Sequence, residues 1–402
     1  MDDQLSDLTT RHNMNPNTQT PPVVSREQLA KGLGKSAFAF RGYNVTNLGR
    51  TPELLQHLQY GPIVERHLRT ASEICTNVMN TSVDLVERVR LEKEPGLKEY
   101  HESIALIVAV ELAQIDILKT FFNISLVNAN MMYGFSLGEL SALTAGGVLT
   151  VADTLKIPLM MSKDAADLAD NVTLCILFSR SGKRIPRKSV HRLCEEINAE
   201  GDGVIGVSTY LAPNSMLFIG QNDTVDQLKD RKAEITTERI PVRINEGQWP
   251  PLHTPIVWQR NIPNRAQFLM HTIQSGFTTP STPLFSLATG DFSYDGDTTR
   301  EVIAQWIDKP QQLWEAIDAT LARGVETVIH VGPQPNIIPA TFGRLAANVA
   351  LLTQQRLPMQ TLSRLVQYGW LAAVLPKRTN LLRAPSIVHV NLEDWLLEQD
   401  VA

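Results

Sequence analysis

The chain has 402 residues, of which 43% are hydrophobic and 20% are charged, and its net charge is −5. This composition is typical of a globular protein with a large core, and it lacks the basic excess of a nucleic-acid-binding or anionic-membrane-binding protein. The cysteines, Cys75, Cys175 and Cys194, have no metal-ligand spacing. We therefore expect no bound metal, no disulfide framework and a reducing compartment.

The first strand is predicted to follow a long tail. Residues 1–35 are predicted to be disordered, because the start of the chain is polar and rich in Asn, Thr and Pro. It lacks the apolar segment of a signal peptide, so we expect a cytoplasmic protein. Ser36–Arg41 is an apolar run stopped by Gly42, which predicts a buried strand and a tight loop. Leu97–Phe122 has a helical pattern, and its apolar part is too short to suggest a membrane span.

The pattern changes near Asn171. Strand and helix patterns then follow in the order β-α-β-β-α-β, which is typical of a ferredoxin-like subdomain. Patterns of buried strands and helices resume after it, so the sequence predicts an α/β fold: an α/β-hydrolase-like large domain with a parallel sheet, and a ferredoxin-like α+β insert. The predicted divisions are a tail (1–35), the large domain (36–170 and 249–350), the insert (171–248) and a C-terminal extension without an assigned role (351–402).

The strongest chemical signal is the sequence GFSLG at Gly134–Gly138. It is a G-x-S-x-G sequence between a predicted strand and a predicted helix, the context of a nucleophile elbow. The glycines let the turn close, and amides at the start of the helix can stabilise an oxyanion. We predict that Ser136 is a nucleophile; a purely structural turn is the alternative.

A serine nucleophile needs a base, and the chain has nine histidines. His253 lies in a loop bracketed by prolines, just after the predicted insert. His330 lies near the end of an apolar strand, and it is the rival base under the usual α/β-hydrolase order, in which the histidine comes last. His101 precedes a long apolar helix. The patterns alone do not decide between these histidines.

Four stretches, taken in order, resemble the malonyl-CoA:acyl-carrier-protein transacylase family, the acyltransferases of fatty-acid and polyketide synthesis. Gly134–Gly147 (GFSLGELSALTAGG) resembles the family's nucleophile segment, and Phe38–Gly49 (FAFRGYNVTNLG) resembles its first strand and glycine loop. Pro251–Val257 (PLHTPIV) resembles the segment with the catalytic histidine. Gly324–Pro333 (GVETVIHVGP) resembles a late element, in which His330 stands where the family has Glu.

The resemblance implies a ping-pong transfer of an acyl group from acyl-CoA to the phosphopantetheine thiol of an acyl carrier protein, without a bound cofactor. It implies that Ser136 is the nucleophile and His253 the base. The backbone amides of Leu137 and Tyr43 would form the oxyanion hole. The backbone carbonyl that orients the histidine would belong to Trp306.

Departures from the family pattern concern the acyl pocket. Phe135 replaces the histidine that usually precedes the serine, and we predict that it lines this pocket. The family binds the malonyl carboxylate with an arginine in the helix after the nucleophile segment; the ungapped position here is Met161, and no arginine occurs between Arg90 and Arg180. A thioether in place of a bidentate guanidinium favours a neutral acyl group. Lys163 is predicted to be a surface charge.

The sequence leaves several functions open. The preferred hypothesis is an active transacylase for an uncharged acyl group. The first alternative is a malonyl transferase whose carboxylate is held by another group. A further alternative is a non-catalytic module that binds acyl-CoA or a carrier protein. The last is a serine hydrolase. The altered glycine loop, Gly42–Thr46, keeps the non-catalytic hypothesis open, because the family usually has G-Q-G-S-Q there.

Overall fold

The computed structural model describes residues 24–179, 183–237, 239–245, 247–353, 371, 374 and 378–399. These residues form a mixed α/β fold with one parallel and one smaller antiparallel sheet, so the predicted fold class is confirmed. The strands are, in chain order, β1 (Ser36–Phe40), β2 (Met131–Gly134), β3 (Val172–Phe178), β4 (Ile205–Ala212), β5 (Ser215–Gln221), β6 (Val242–Asn245), β7 (Leu284–Phe285), β8 (Thr327–Val331) and β9 (Val388–Asn391).

Helices pack against both sheets. They are α1 (Arg26–Gly32), α2 (Thr51–Gln56), α3 (Gly61–Met79), α4 (Leu85–Arg90), α5 (Tyr100–Phe122), α6 (Leu137–Ala145), α7 (Val151–Asp167), α8 (Arg187–Glu200), α9 (Thr224–Arg231), α10 (Ile262–Leu269), α11 (Thr299–Trp306), α12 (Leu313–Ala322), α13 (Ile337–Thr353) and α14 (Leu392–Glu398). Helix α5 packs against α3, α6 and α7 and is buried along most of its length. None of the helices described above combines the length and apolarity needed to cross a bilayer.

The larger sheet has the strand order β7-β2-β1-β8-β9, and the pairs between described strands are parallel. All five residues of the central strand β1 are buried. A parallel sheet covered on both faces needs such continuous apolar strands. Phe40 pairs with Gly134, so the carboxyl ends of β1 and β2 lie side by side. The loops that follow these two strands therefore meet at one edge of the sheet, where ligands bind in open α/β sheets.

The smaller sheet is antiparallel, with the order β4-β5-β3-β6. Its strands and helices follow the chain as β3-α8-β4-β5-α9-β6, as the ferredoxin-like prediction requires. One face of this sheet has a core of its own, which includes Cys175, Phe218 and the apolar side of α8. The opposite face, with Leu174 and Leu217, packs with the core of the larger sheet. The exact domain boundaries stay predictions.

The predicted disordered tail is wrong for its last residues. Residues 1–23 lie outside the described part, but α1 begins at Arg26. The Ser25 hydroxyl accepts the backbone N–H of Gln28, and the Gln28 side chain accepts the backbone N–H of Ser25. This capping box is a known helix start signal, and it overrides the polar composition on which the predicted tail was based.

The C-terminal residues 378–399 complete the larger sheet, a role that the sequence did not assign. Strand β9 pairs in parallel with β8, and α14 follows it directly. Trp395 of α14 is 3% exposed, its ring contacts Phe122, and its indole N–H donates to the carbonyl oxygen of Val24 at 2.7 Å. The two ends of the described chain are therefore packed together against α5.

Replacing Trp395 by Ala is expected to lower the free energy of unfolding by about 3–5 kcal/mol, because it empties a buried aromatic site and removes a hydrogen bond. Urea denaturation of the whole chain measures this change. The control is Trp258→Ala, since Trp258 is 50% exposed, and a change below about 1 kcal/mol is expected there. Equal effects of the two substitutions would contradict the packing role of α14.

Candidate active site

Ser136 lies on a sharp turn between β2 and α6. Its backbone has φ 52° and ψ −118°, a conformation that non-glycine residues rarely adopt. The turn has no space for larger neighbours: a Cβ atom on Gly138 would lie 2.5 Å from the carbonyl oxygen of Phe40, and one on Gly134 would overlap the backbone of Gly138. The predicted strand–turn–helix is therefore present, and its strain is held by close packing.

Ser136 and His253 form a hydrogen-bonded pair. The Ser136 Oγ atom lies 2.7 Å from His253 Nε2, and His253 Nδ1 lies 2.8 Å from the carbonyl oxygen of Trp306. A carbonyl can only accept, so Nδ1 carries the ring proton and Nε2 is free to accept the proton of the serine hydroxyl. This is the geometry that a serine nucleophile and its base require. The end of α11 also holds the loop in place, because the backbone N–H of His253 donates to the carbonyl oxygen of Ile307 at 2.9 Å.

Burial decides the protonation of this histidine. His253 is 4% exposed. Burial lowers the pKa of His253 to about 4, and the hydrogen bond to the Trp306 carbonyl opposes this shift in part. The imidazole is therefore neutral at pH 7 and able to accept a proton.

Two backbone amides lie beside Ser136. Leu137 is the first residue of α6, and Tyr43 follows Gly42, whose Cβ position would lie 3.2 Å from the Ser136 Cβ atom. Within the described part of the chain, neither the Leu137 nor the Tyr43 N–H donates to another protein atom. Both N–H groups thus lack a protein acceptor, and their role as an oxyanion hole stays a prediction.

Known proteins resemble this chain in sequence. No family model matches it. The malonyl CoA-acyl carrier protein transacylase of Escherichia coli K12 is 24% identical over 204 residues, which is 50% of this chain and 62% of that protein. The chain thus spans less than two thirds of that relative. The protein of the same name from Staphylococcus aureus COL is 21% identical over 330 residues, 81% of this chain and 97% of its own length.

Solved structures share the fold. FabD from Acinetobacter baumannii superposes with a TM-score of 0.62 at 16% identity, over 86% of this chain and 99% of its own. A complex of a type II polyketide acyl-carrier protein with its malonyl-transacylase gives a TM-score of 0.58 at 17% identity, over 76% of this chain and 92% of that chain. The predicted resemblance to the malonyl-CoA:acyl-carrier-protein transacylase family is confirmed.

A cavity with largely apolar walls opens onto Ser136. Phe135 lines this cavity, and its predicted role in binding the acyl group stays a prediction. The face of the small sheet that supplies part of the wall carries four aliphatic side chains: Leu174, Ile176, Leu217 and Ile219.

The structure corrects the predicted position of Met161. It is not among the described residues that line the cavity with Ser136; it lies instead in a separate depression between α7 and α10, with Lys156 and Phe268. Helix α7 contains Pro158, which cannot donate its helical hydrogen bond. The ungapped alignment therefore gives no reliable side-chain direction for this helix, and Met161 faces α10.

Arg41 is the cation among the described residues that line the cavity. Its guanidinium donates to the carbonyl oxygens of Gly42 and Pro333 at 2.8 and 2.6 Å, and to Asn47 Oδ1 at 2.8 Å. Burial lowers the pKa of Arg41, while the charge of Glu111 favours its charged form. Most of its N–H donors are thus used inside the protein.

The other candidate histidines lie away from the serine. The Nε2 atom of His330, in β8, lies 2.9 Å from the Nδ1 atom of His389, and the two rings are stacked. His101 is in α5, and its backbone carbonyl accepts from Cys75 Sγ. Neither lines the cavity among the residues described.

Two side chains at the site were not predicted from the sequence. The Trp306 indole N–H donates to the carbonyl oxygen of Ser136 at 2.9 Å, so this residue contacts both members of the pair. The Gln311 side chain reaches the backbone of Ser136 and the ring of His253. No motif contains Gln311, and its only sequence mark is the preceding Pro310.

The rate of Ser136 acylation is expected to stay constant from pH 8 to about pH 5. Because the pKa of His253 is lowered to about 4, the neutral imidazole persists over this range, and the rate falls tenfold per pH unit only below about pH 4. Single-turnover acylation followed by intact mass checks this profile. Far-UV circular dichroism at each pH is the control for folding, and a midpoint near 6.5 would contradict the effect of burial.

Gly138→Ala is expected to abolish Ser136 acylation and to lower the free energy of unfolding by at least about 2 kcal/mol, because the added Cβ would push the elbow away from β1. The matched control is Gly32→Ala at the end of α1, where no atom lies within 4 Å of the new Cβ. We expect that control to retain full activity. Normal acylation by Gly138→Ala would contradict the tight turn.

Proposed function

We propose that this protein is an acyl-carrier-protein S-acyltransferase that carries its acyl group on Ser136. The observation that carries the proposal is the 2.7 Å contact between Ser136 Oγ and Nε2 of a buried, neutral His253, in a cavity with apolar walls. The names of the similar proteins support the same reaction class. The predicted cytoplasmic location rests on the sequence alone.

In the first half-reaction, His253 Nε2 takes the hydroxyl proton while Ser136 Oγ attacks the thioester carbonyl of acyl-CoA. The amides of Leu137 and Tyr43 would hold the resulting oxyanion. The carbon–sulfur bond then breaks, and the imidazolium returns the proton to the departing thiolate of CoA. The Trp306 carbonyl stabilises the imidazolium, so no acidic third residue is required.

In the second half-reaction, a phosphopantetheine thiol of a carrier protein gives its proton to His253, and its sulfur attacks the Ser136 ester. The carbon–Oγ bond breaks, and Ser136 recovers the proton. A carrier protein as acceptor is supported by the similar malonyl-transacylase that was solved in complex with an acyl-carrier protein. The chemistry uses acyl-CoA as donor and needs no resident cofactor.

We further propose that the acyl group is uncharged. With Met161 facing α10, this step rests on the cavity itself. Strands β3 and β5 of the small sheet supply aliphatic side chains to its wall, and the donors of Arg41 are largely used by Gly42, Pro333 and Asn47. A carboxylate placed there would lose its hydration without gaining a free bidentate partner.

Malonyl transfer is the second candidate, because the similar proteins carry that name and Arg41 lines the cavity. It would require Arg41 to exchange at least one backbone acceptor for the malonyl carboxylate. The two candidates differ in the donor that acylates Ser136.

Incubation with acetyl-CoA or octanoyl-CoA is expected to add the acyl mass to the protein, whereas malonyl-CoA adds little or nothing. Intact mass spectrometry measures each adduct after a single turnover. Ser136→Ala is the control, and it should give no adduct with any donor.

A malonyl adduct would overturn the neutral-acyl proposal and leave the transferase in place. If no donor acylates Ser136 and no CoA is released, the result would support the non-catalytic binding module and contradict the transferase. A hydrolase would form free acid and would release CoA at the same rate with and without a carrier protein.

A further inference from the structure

Gln311 lies in the short segment between α11 and α12, and it is fully buried. Its Oε1 atom accepts the backbone N–H of Ser136 at 3.0 Å. This N–H belongs to the strained residue of the elbow. Without the glutamine it would be a buried donor lacking a partner, which is costly.

The other end of the same carboxamide faces the base. Gln311 Nε2 lies 3.3 Å from His253 Nδ1. The oxygen is fixed toward Ser136 by that N–H, so the amino group must point at the imidazole. Because Nδ1 carries the ring proton, this contact is a packing contact and not a hydrogen bond. The positive end of the amide disfavours a second proton on the ring, and its bulk restricts rotation of the ring away from Ser136.

The main chain of Gln311 is held by the small sheet. Its N–H donates to the carbonyl oxygen of Ser208 at 2.8 Å, and its carbonyl oxygen accepts the N–H of Tyr210 at 2.9 Å. Ser208 and Thr209 of β4 also line the cavity. One residue therefore connects the wall of the cavity to both members of the Ser136–His253 pair.

We propose that Gln311 is a positioning residue, which holds the Ser136 backbone and the His253 ring at the separation needed for proton transfer. The inference rests on the proposed function, since it concerns the nucleophile and base of that reaction. The alignment of the pair would then depend on a side chain that no motif contains.

The groups that face His253 come from three elements: the Ser136 hydroxyl, the Trp306 carbonyl and the Gln311 amide. Among the residues that the structure describes, Arg41 is the charged group that lines the same cavity. A change at residue 311 is thus expected to alter the pH dependence of the serine, which a purely structural glutamine would not do.

The experiment compares three variants of the whole chain. Gln311→Met keeps the length of the side chain and removes both polar atoms. Gln311→Glu keeps an oxygen for the Ser136 N–H and replaces the amino group beside the imidazole. Gln312→Met is the matched control, because that neighbouring glutamine accepts from Arg187 and does not touch the pair.

The probe is a fluorophosphonate, which labels an activated serine whatever acyl group the protein prefers. Labelling rates are measured from pH 4 to 9, beside acylation by acetyl-CoA and denaturant unfolding. Gln311→Met should label and acylate about 10- to 100-fold more slowly, because the pair is misaligned. The acid limb is the pH range in which the rate falls as the pH decreases. At pH values above this limb, Gln311→Glu should keep the wild-type rate within about 3-fold, and its acid limb should lie at higher pH than that of the wild type. Gln312→Met should match the wild type.

A folded Gln311→Met variant with wild-type rates would overturn the inference. Equal losses in Gln311→Met and Gln311→Glu, with an unmoved acid limb, would do the same and leave a packing role. If Gln311→Met does not fold, the acid limb of Gln311→Glu decides. If the wild type itself is neither labelled nor acylated at Ser136, the proposed function fails, which is a distinct result.

Discussion

Backbone atoms at the end of β1 and in the turn before α6 pack so closely that Gly42 and Gly138 have no room for a Cβ atom. The Phe135 N–H donates to the carbonyl oxygen of Phe40 at 2.9 Å, which fixes the turn to the strand. Ser136 is therefore forced into its left-handed conformation by its surroundings and keeps it without a ligand. The direction of the hydroxyl, the position of the helix amides and the opening of the cavity all depend on this contact.

The base depends on burial in a similar way. A buried imidazole is easily kept neutral, which suits a proton acceptor, but it must still stabilise the charge that it gains during the reaction. The Trp306 carbonyl supplies this stabilisation with a fixed dipole and without a second titratable group. The same residue binds the Ser136 carbonyl oxygen through its indole N–H, so one side chain and one backbone group of α11 hold both partners. An exposed histidine with a carboxylate would reach a similar geometry with a higher pKa.

The sequence predicted what local patterns and a linear resemblance can encode. GFSLG between a strand and a helix identifies the elbow, because the glycines are required by contacts within a few residues and with the adjacent strand. The placement of His253 needed the family resemblance, since no spacing rule connects it to Ser136. Met161 was misplaced because an ungapped count assumes a regular helix, and α7 contains Pro158. Gln311 could not be found, because its contacts join residues 175 positions apart and its own sequence context is ordinary.

Strand β9 forms one edge of the larger sheet, although it comes from the last part of the chain, after β8 and α13. During synthesis, β8 leaves the ribosome long before its outer neighbour is available. Until β9 arrives, the outer N–H and C=O groups of Thr327–Val331 form an open template for another chain. The completed sheet is thus protected from self-association by residues translated after β8 and α13, and the nascent protein has to remain apart from its copies until they emerge.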